Sequence, residues 1–395
     1  MRILIISAVF PPEPIVSAKL SMDLYRTLKE KGHSVKVIHP IPSRPYGFKP
    51  NMLDIGLLGD DEIIVDSYVC PQSSLFGRIR ESLSFGKASS IYIKEHYKNI
   101  DCIYANVWPL FSQLAIVNVA NKLKIPCIVH IQDVYPESLA NKMSGIVKKT
   151  INTIFLPIDK IILRKCTKVV AISEKMKSYL VNTRGLFDEK VTVVINWQDE
   201  KDFTYYKKCR DNKDEKFTFM YMGNIGPVAG VDLLLDAFLV ANITNARLVI
   251  AGSGSMKEKL MKKAASAHNI EFWEVPNGKV PEIQSKADCM LLPIKKGAAS
   301  SSIPSKLPAY MFSAKPIIGC VDEDSDTANA INEAKCGWVI EPENPEKLAE
   351  TMKKVTAMDK KDLDKKAKNS LQYGLTHFSK KENLSKLLSV IEEIL

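Results

Sequence analysis

Several features are missing from this sequence, and each omission excludes a class of protein. No run of about 18 or more apolar residues occurs, so no membrane-spanning helix is expected. The opening stretch Met1 to Phe10 is apolar but is stopped at once by Pro11-Pro12-Glu13-Pro14. It lacks the charged lead-in, long apolar core and cleavage pattern of a signal peptide, so no targeting segment is expected. The 8 cysteines are scattered, with no Cys-x-x-Cys pair. Stretches such as Asp101-Cys102-Ile103-Tyr104 read as buried free thiols in a reducing compartment, which points to a cytoplasmic protein. No Gly-x-Gly-x-x-Gly follows the first apolar run, which disfavours a nicotinamide dehydrogenase. No basic motif with interleaved aromatics is found, and the lysines are spread along the chain; nucleic acid is not expected as a partner.

What remains is a chain of 395 residues, 46% hydrophobic and 25% charged, which suits a soluble globular protein of two domains. The net charge of +10 is compatible with phosphorylated ligands or an anionic membrane face.

Strand-like and helix-like segments alternate. Ile3 to Val9 is a continuous apolar run suited to a strand covered on both faces, and Leu20, Leu24 and Leu28 follow at helical spacing. Val35 to Ile38, Ile63 to Val69, Cys102 to Ala105, Cys127 to Ile131, Lys168 to Ile172 and Val191 to Ile195 continue as strands. The charge-dense stretch Asp199 to Lys216 reads as a linker or exposed loop. The pattern then restarts at Phe217 to Met222, with further strands at Leu248 to Ala251, Ile270 to Trp273, Cys289 to Leu292, Ile317 to Gly319 and Trp338 to Ile340. This order predicts an α/β protein of two Rossmann-like, doubly wound parallel domains, 1–198 and 199–381, with ligands beyond the strand C-termini. If the domains face each other, those ends meet in one cleft.

Five segments in this order and spacing carry a resemblance. They are the opening ILIISAVFPPEP, IVHIQDVYPES (128–138), YMGNIGPVAGVDLLLDAF (221–238), LVIAGSGSMKEKL (248–260) and ADCMLLPIKKGAASSSIPSKLPAYMFSAKPII (287–318). Together they are similar to the retaining glycosyltransferases of family 4, which have the GT-B architecture of two Rossmann-like domains facing each other across a cleft. The bacterial enzymes that build O-antigen, capsule and exopolysaccharide are the group most resembled. The resemblance implies a C-terminal helix, about 382–395, packed back on the first domain.

It also places site residues. In the second domain, Gly223, Asn224 and Gly226 correspond to the phosphate-side turn, and Gly252 to a second glycine turn near the nucleotide. Val280, before a short helix, corresponds to the backbone beside the base. The loop Ser301-Ser302-Ile303-Pro304-Ser305-Lys306 leads into a helix from Leu307 to Phe312. Its amides and hydroxyls with the Lys306 ammonium suit a diphosphate, where the cation would stabilise the departing nucleoside diphosphate. The bland alternative is a helix start with a solvated lysine.

In the first domain, Asp133 follows a strand end and is assigned a catalytic or acceptor-orienting role; helix capping is its alternative. His130 is a second candidate, or a plain core histidine. The loop Pro11 to Ser17, including Val16 and Ser17, precedes a helix from about Ala18 and is read as an acceptor or diphosphate contact, or as an ordinary surface loop.

Two departures from the family pattern stand out. A customary arginine and lysine after the first glycine are replaced by Asn224 and Ala229. Two customary glutamates separated by seven residues fall on Ser301 and Ala309.

The resemblance implies transfer of a sugar from a nucleoside diphosphate sugar, UDP-linked in this reading, to a hydroxyl of a glycan or lipid-linked acceptor. Stereochemistry would be retained, and neither metal nor other cofactor is expected. Two alternatives stay open: a nucleotide-sugar epimerase of the same architecture, and a binding protein whose catalysis is impaired. The basic, apolar stretch Lys148 to Pro157 with Ile161 to Lys165 can rest on an anionic bilayer, giving a peripheral location at the inner face of the membrane, or can pack inward as an ordinary helix.

Overall fold

The computed structural model describes residues 1–394 except 52–53, 71, 73, 141–142, 144, 209–215, 228, 277 and 297–302. The chain divides into two compact units, Met1–Ile195 with Asn383–Leu395, and Asn196–Glu382.

The first unit is built on a seven-stranded, wholly parallel sheet: β1 (Arg2–Ser7), β2 (Ser34–Pro40), β3 (Glu62–Val65), β4 (Cys102–Asn106), β5 (Cys127–Ile131), β6 (Lys168–Ala171) and β7 (Val191–Val193), ordered β3-β2-β1-β4-β5-β6-β7. Every residue of β4 and β5 is buried, as expected of strands covered on both faces. The edge strand β3 stops at Val65 rather than Val69, with Ile64 40% exposed; an edge strand has pairing and burial on one side only.

The second unit repeats the scheme with six parallel strands: β8 (Phe217–Met222), β9 (Ala246–Ala251), β10 (Ile270–Trp273), β11 (Cys289–Pro293), β12 (Ile317–Cys320) and β13 (Gly337–Ile340), ordered β10-β9-β8-β11-β12-β13. In each sheet the chain moves outward from the first strand, returns, and continues on the other side. The reversal between β1 and β4, and between β8 and β11, leaves a crevice at the strand C-termini where such folds take ligands.

Three further sequence expectations need correction. The stretch expected as a linker contains a helix, Lys201–Lys208, because Phe203 is buried and packs at 6.0 Å on the Phe312 ring. The first crossover helix is Val16–Glu30, so Val16 and Ser17 form its first turn rather than a loop before it. Val280 opens the helix Val280–Ser285 instead of preceding it, since Pro281 fits the first helical turn. The last helix runs Lys380–Glu392; its Asn383 side-chain Oδ1 accepts from Ile195 N at 3.2 Å, and Leu387, Leu388 and Ile391 are buried.

Candidate functional site

In the second unit, two glycine turns at the ends of β8 and β9 are packed backbone to backbone. Gly223 has φ +150° and Gly252 φ +134°, and a β-carbon on Gly252 would lie 2.1 Å from the Gly223 carbonyl oxygen. Ile225 N donates to Ser253 O at 2.8 Å, tying the turns together. Only glycine permits this approach.

Lys306, the first residue of the helix Lys306–Phe312, lies across the first turn. Its ammonium is 5.4 Å from the centre of the Tyr221 ring, a cation–π distance. Burial lowers its pKa, and no carboxylate pairs with it among the described residues. A half-buried cation without a counter-ion, beside backbone amides at a strand end, is suited to an anionic ligand.

The frame around it is rigid. Tyr310 is fully buried; its hydroxyl donates to Met222 O at 2.9 Å and accepts from Met222 N at 3.0 Å, fixing the residue before Gly223. Tyr221 Oη donates to Asn224 O at 2.7 Å, and Gln198 Nε2 donates to Ser305 O at 2.6 Å just before the lysine. Gln284, on the helix opened by Val280, accepts from Ser313 Oγ at 2.6 Å.

The structure therefore brings Gly223, Asn224, Gly226, Gly252 and Lys306 to the C-terminal edge of one sheet, with Ile303 half-buried a few residues ahead of the lysine. Ser301 and Ser302 lie outside the described residues. Ala309, the second of the two positions where the resemblance implies a glutamate, is buried inside the helix.

In the first unit, buried polar side chains meet at the reversal of the sheet. Ser7 and Ser21 hydroxyls are 2.8 Å apart, with Asn106 Nδ2 3.5 Å from Ser21 Oγ. The helix Val16–Glu30 starts at Ile15 without a side-chain cap, and Val16 is exposed. Buried Glu13 braces the preceding loop by accepting from Phe10 N, Ser43 N and Arg44 N.

His130 lies wholly within the core. Its Nδ1 is hydrogen-bonded to the Tyr104 hydroxyl and its Nε2 to the Gln132 amide at 3.1 Å. Burial pushes its pKa down to about 3, so the ring is neutral at ordinary pH. With the Gln132 amide donating to Nε2, Nδ1 carries the proton and donates to Tyr104.

Asp133 is exposed just past β5 and lines a cavity of ≈ 460 Å³ with Trp108 and Tyr135. Arg184, fully buried, holds this segment. It donates to Tyr135 O at 2.8 Å, to both Glu137 oxygens at 2.7 Å and to Asp159 Oδ2 at 2.7 Å. The guanidinium draws the Glu137 pKa down against its desolvation, while burial dominates at Asp159 and raises it to about 6.

Sequence reasoning missed Tyr310, Arg184, Glu13 and Tyr104. Each is a polar group inside an apolar or ordinary-looking stretch, and its partner is distant in sequence or is a backbone atom.

Comparison with known proteins gives a consistent family signal. The family described as Glycosyltransferase Family 4 matches residues 18–201, and that described as Glycosyl transferases group 1 matches residues 203–372. A protein of Escherichia coli K12 described as the putative colanic acid biosynthesis glycosyl transferase WcaI is 25% identical over 330 residues, 78% of this chain and 80% of its own length. The probable glycosyltransferase WbjE of Pseudomonas aeruginosa is 20% identical over 302 residues, 73% of this chain and 74% of its own. Among solved structures, Anabaena HepE in complex with UDP superposes with a TM-score of 0.70 at 13% identity, covering 100% of both chains. That last likeness establishes the fold.

Proposed function

We propose that this chain, a family 4-like glycosyltransferase of GT-B architecture, moves a sugar from a UDP-linked donor to a hydroxyl of a glycan or lipid-linked acceptor with retention at the anomeric carbon. The observation that carries the reading is Lys306, a half-buried ammonium lying across the Gly223 turn. As the bond from the anomeric carbon to the donor diphosphate breaks, negative charge grows on the leaving oxygen. A half-buried cation held in place stabilises that charge with little reorganisation, which is the work a metal ion does elsewhere. The resemblance supplies the stereochemistry. In that mechanism the leaving oxygen takes the acceptor hydroxyl's proton on the face where the new bond forms, with Asp133 orienting the acceptor.

The choice of UDP draws on the nucleotide that HepE holds, and a role in cell-surface polysaccharide synthesis on the name given to WcaI. A cytoplasmic location peripheral to the membrane is supported by the helix Gly145–Lys165. Ile146, Val147, Ile154 and Ile161 are exposed there among Lys148, Lys149, Lys160 and Lys165. No helix among the described residues is long and apolar enough to cross a membrane.

A second reading, binding of nucleotide sugar without turnover, is favoured by Ala309, a buried alanine where the family resemblance implies a carboxylate. The experiment is a thermal-shift and product screen of UDP-sugars on wild type and Lys306→Ala. Donor stabilisation lost in the variant, with UDP released only when acceptor is present, supports transfer. Stabilisation unchanged in the variant removes the phosphate assignment, and binding without UDP release selects the second reading.

A further inference from the structure

The segment that opens the second unit grips the helix Lys306–Phe312 at both ends. Gln198 Nε2 donates to Ser305 O at 2.6 Å, at the residue before the lysine, and the Phe203 ring packs at 6.0 Å on the ring of Phe312. The two ends differ in how far they depend on this grip. Met311 and Phe312 are fully buried, and a β-carbon on Gly374 of the helix Lys360–His377 would come within 3.0 Å of Met311 Cβ, so close packing fixes that end. At the lysine end Ser305 is exposed, and its own side chain makes no capping hydrogen bond.

Gln198 is in turn well anchored. Its N–H donates to Phe378 O at 3.3 Å, and it forms a parallel bridge with Ser379. Trp197 beside it is buried, and Lys380 N donates to the Glu200 carboxylate at 3.2 Å a little further along the same pairing. The amide that reaches Ser305 therefore stands on a backbone with little freedom. Water can satisfy an exposed carbonyl as well as an amide does, but it cannot fix where that carbonyl lies.

We infer that Gln198 is a positioning residue for Lys306. Its amide fixes the Ser305 carbonyl and, through it, the point from which the lysine side chain crosses the Gly223 turn. It acts through the lysine and not on the ligand: a cation whose starting point is set loses less freedom when an anion binds. The inference rests on the reading of Lys306 as the cation for the donor diphosphate.

The test is a UDP titration of the full chain as wild type, Gln198→Met, Lys306→Met and the double variant, with a melting curve for each. Gln198→Met keeps the length of the side chain and removes its donor. UDP affinity should fall about three- to tenfold, the range of one neutral hydrogen bond. Melting temperature should change little, because water takes the place of the amide at the exposed carbonyl. In the double variant the Gln198 change should add nothing to the loss from Lys306→Met, since the group it positions is gone. UDP affinity unchanged in Gln198→Met, or losses that multiply in the double variant, overturns the inference. Gln198→Glu removes the same donor and serves if Gln198→Met melts early; early melting of both makes Gln198 a structural residue and overturns it too. Lys306→Met binding UDP as tightly as wild type, or wild type binding none, refutes the diphosphate reading of the lysine itself, and this inference falls with it.

Discussion

Lys306 and Gly223 share one small volume: the lysine Cε lies 2.2 Å from where a β-carbon on Gly223 would stand. The side chain can therefore cross the turn only because residue 223 has no side chain. Lys306→Met keeps the length and packing while removing the charge. Loss of one preorganised group of this kind typically lowers kcat by about 10² to 10³-fold. Thermal stability should hold or rise, because a half-buried ammonium with no carboxylate partner among the described residues is replaced by a thioether. Steady-state kinetics and a melting curve on the same sample check both halves. A large fall in melting temperature would make the lysine a structural residue.

Gly223→Ala tests the same relationship from the other side. The alanine must adopt φ +150° and displace the flexible end of Lys306. The ammonium moves first, being the softer partner, so UDP affinity should fall by more than the stability does. UDP titration compared with urea denaturation separates the two.

Much of this arrangement was legible in the sequence, for reasons that particular residues make plain. Buried parallel strands such as Cys127–Ile131 are short apolar runs, and turns such as Gly223 to Gly226 need glycine, so composition alone marks them. The helix Lys201–Lys208 was hidden because its buried anchor, Phe203, stands in a charged window without a helical repeat of apolar residues. Tyr310 reads locally as one more apolar position, and its partner Met222 is 88 residues away. Arg184 is hidden in the same way, its carboxylate partners standing 47 and 25 residues off in the chain. Local pattern records which face is apolar; it does not record which distant polar atom that face must satisfy.

Tyr310→Phe removes a hydroxyl that serves both backbone groups of Met222. The change leaves a buried N–H without its partner, at a cost of about 1–3 kcal/mol. The end of β8 should loosen with it, so UDP binding weakens together with stability. Urea unfolding and UDP titration should move in the same direction here, unlike in Lys306→Met.

Arg184→Leu strands two carboxylates, Asp159 and Glu137, by removing the guanidinium that pairs with both. Breaking a buried pair from one side costs about 3–5 kcal/mol, most of it from the charges left behind. Adding Asp159→Asn should recover part of that stability, whereas transferase activity should stay low because Tyr135 O, near Asp133, has still lost its donor. Recovery of activity along with stability would show that the arginine holds the fold and not the segment around Asp133.

His130 gives the molecule a defined acid sensitivity. Its pKa is near 6.5 in an unfolded chain and about 3 in the native core. Between those values the unfolded state binds a proton that the native state refuses, so native stability falls as pH falls from 6.5 toward 3 and is unaffected above that window. The slope approaches about 1.4 kcal/mol per pH unit for the one group. His130→Gln removes the titration and keeps an amide able to bond Tyr104 or Gln132. The stability difference between wild type and variant, from urea unfolding at pH 7.5, 6.5, 5.5 and 4.5, should be constant above the window. Below it, the difference should move steadily in the variant's favour. Carboxylates common to both proteins cancel in that difference, so a flat line across the whole range would mean that His130 is solvated, and Tyr104 and Gln132 would not be holding it neutral.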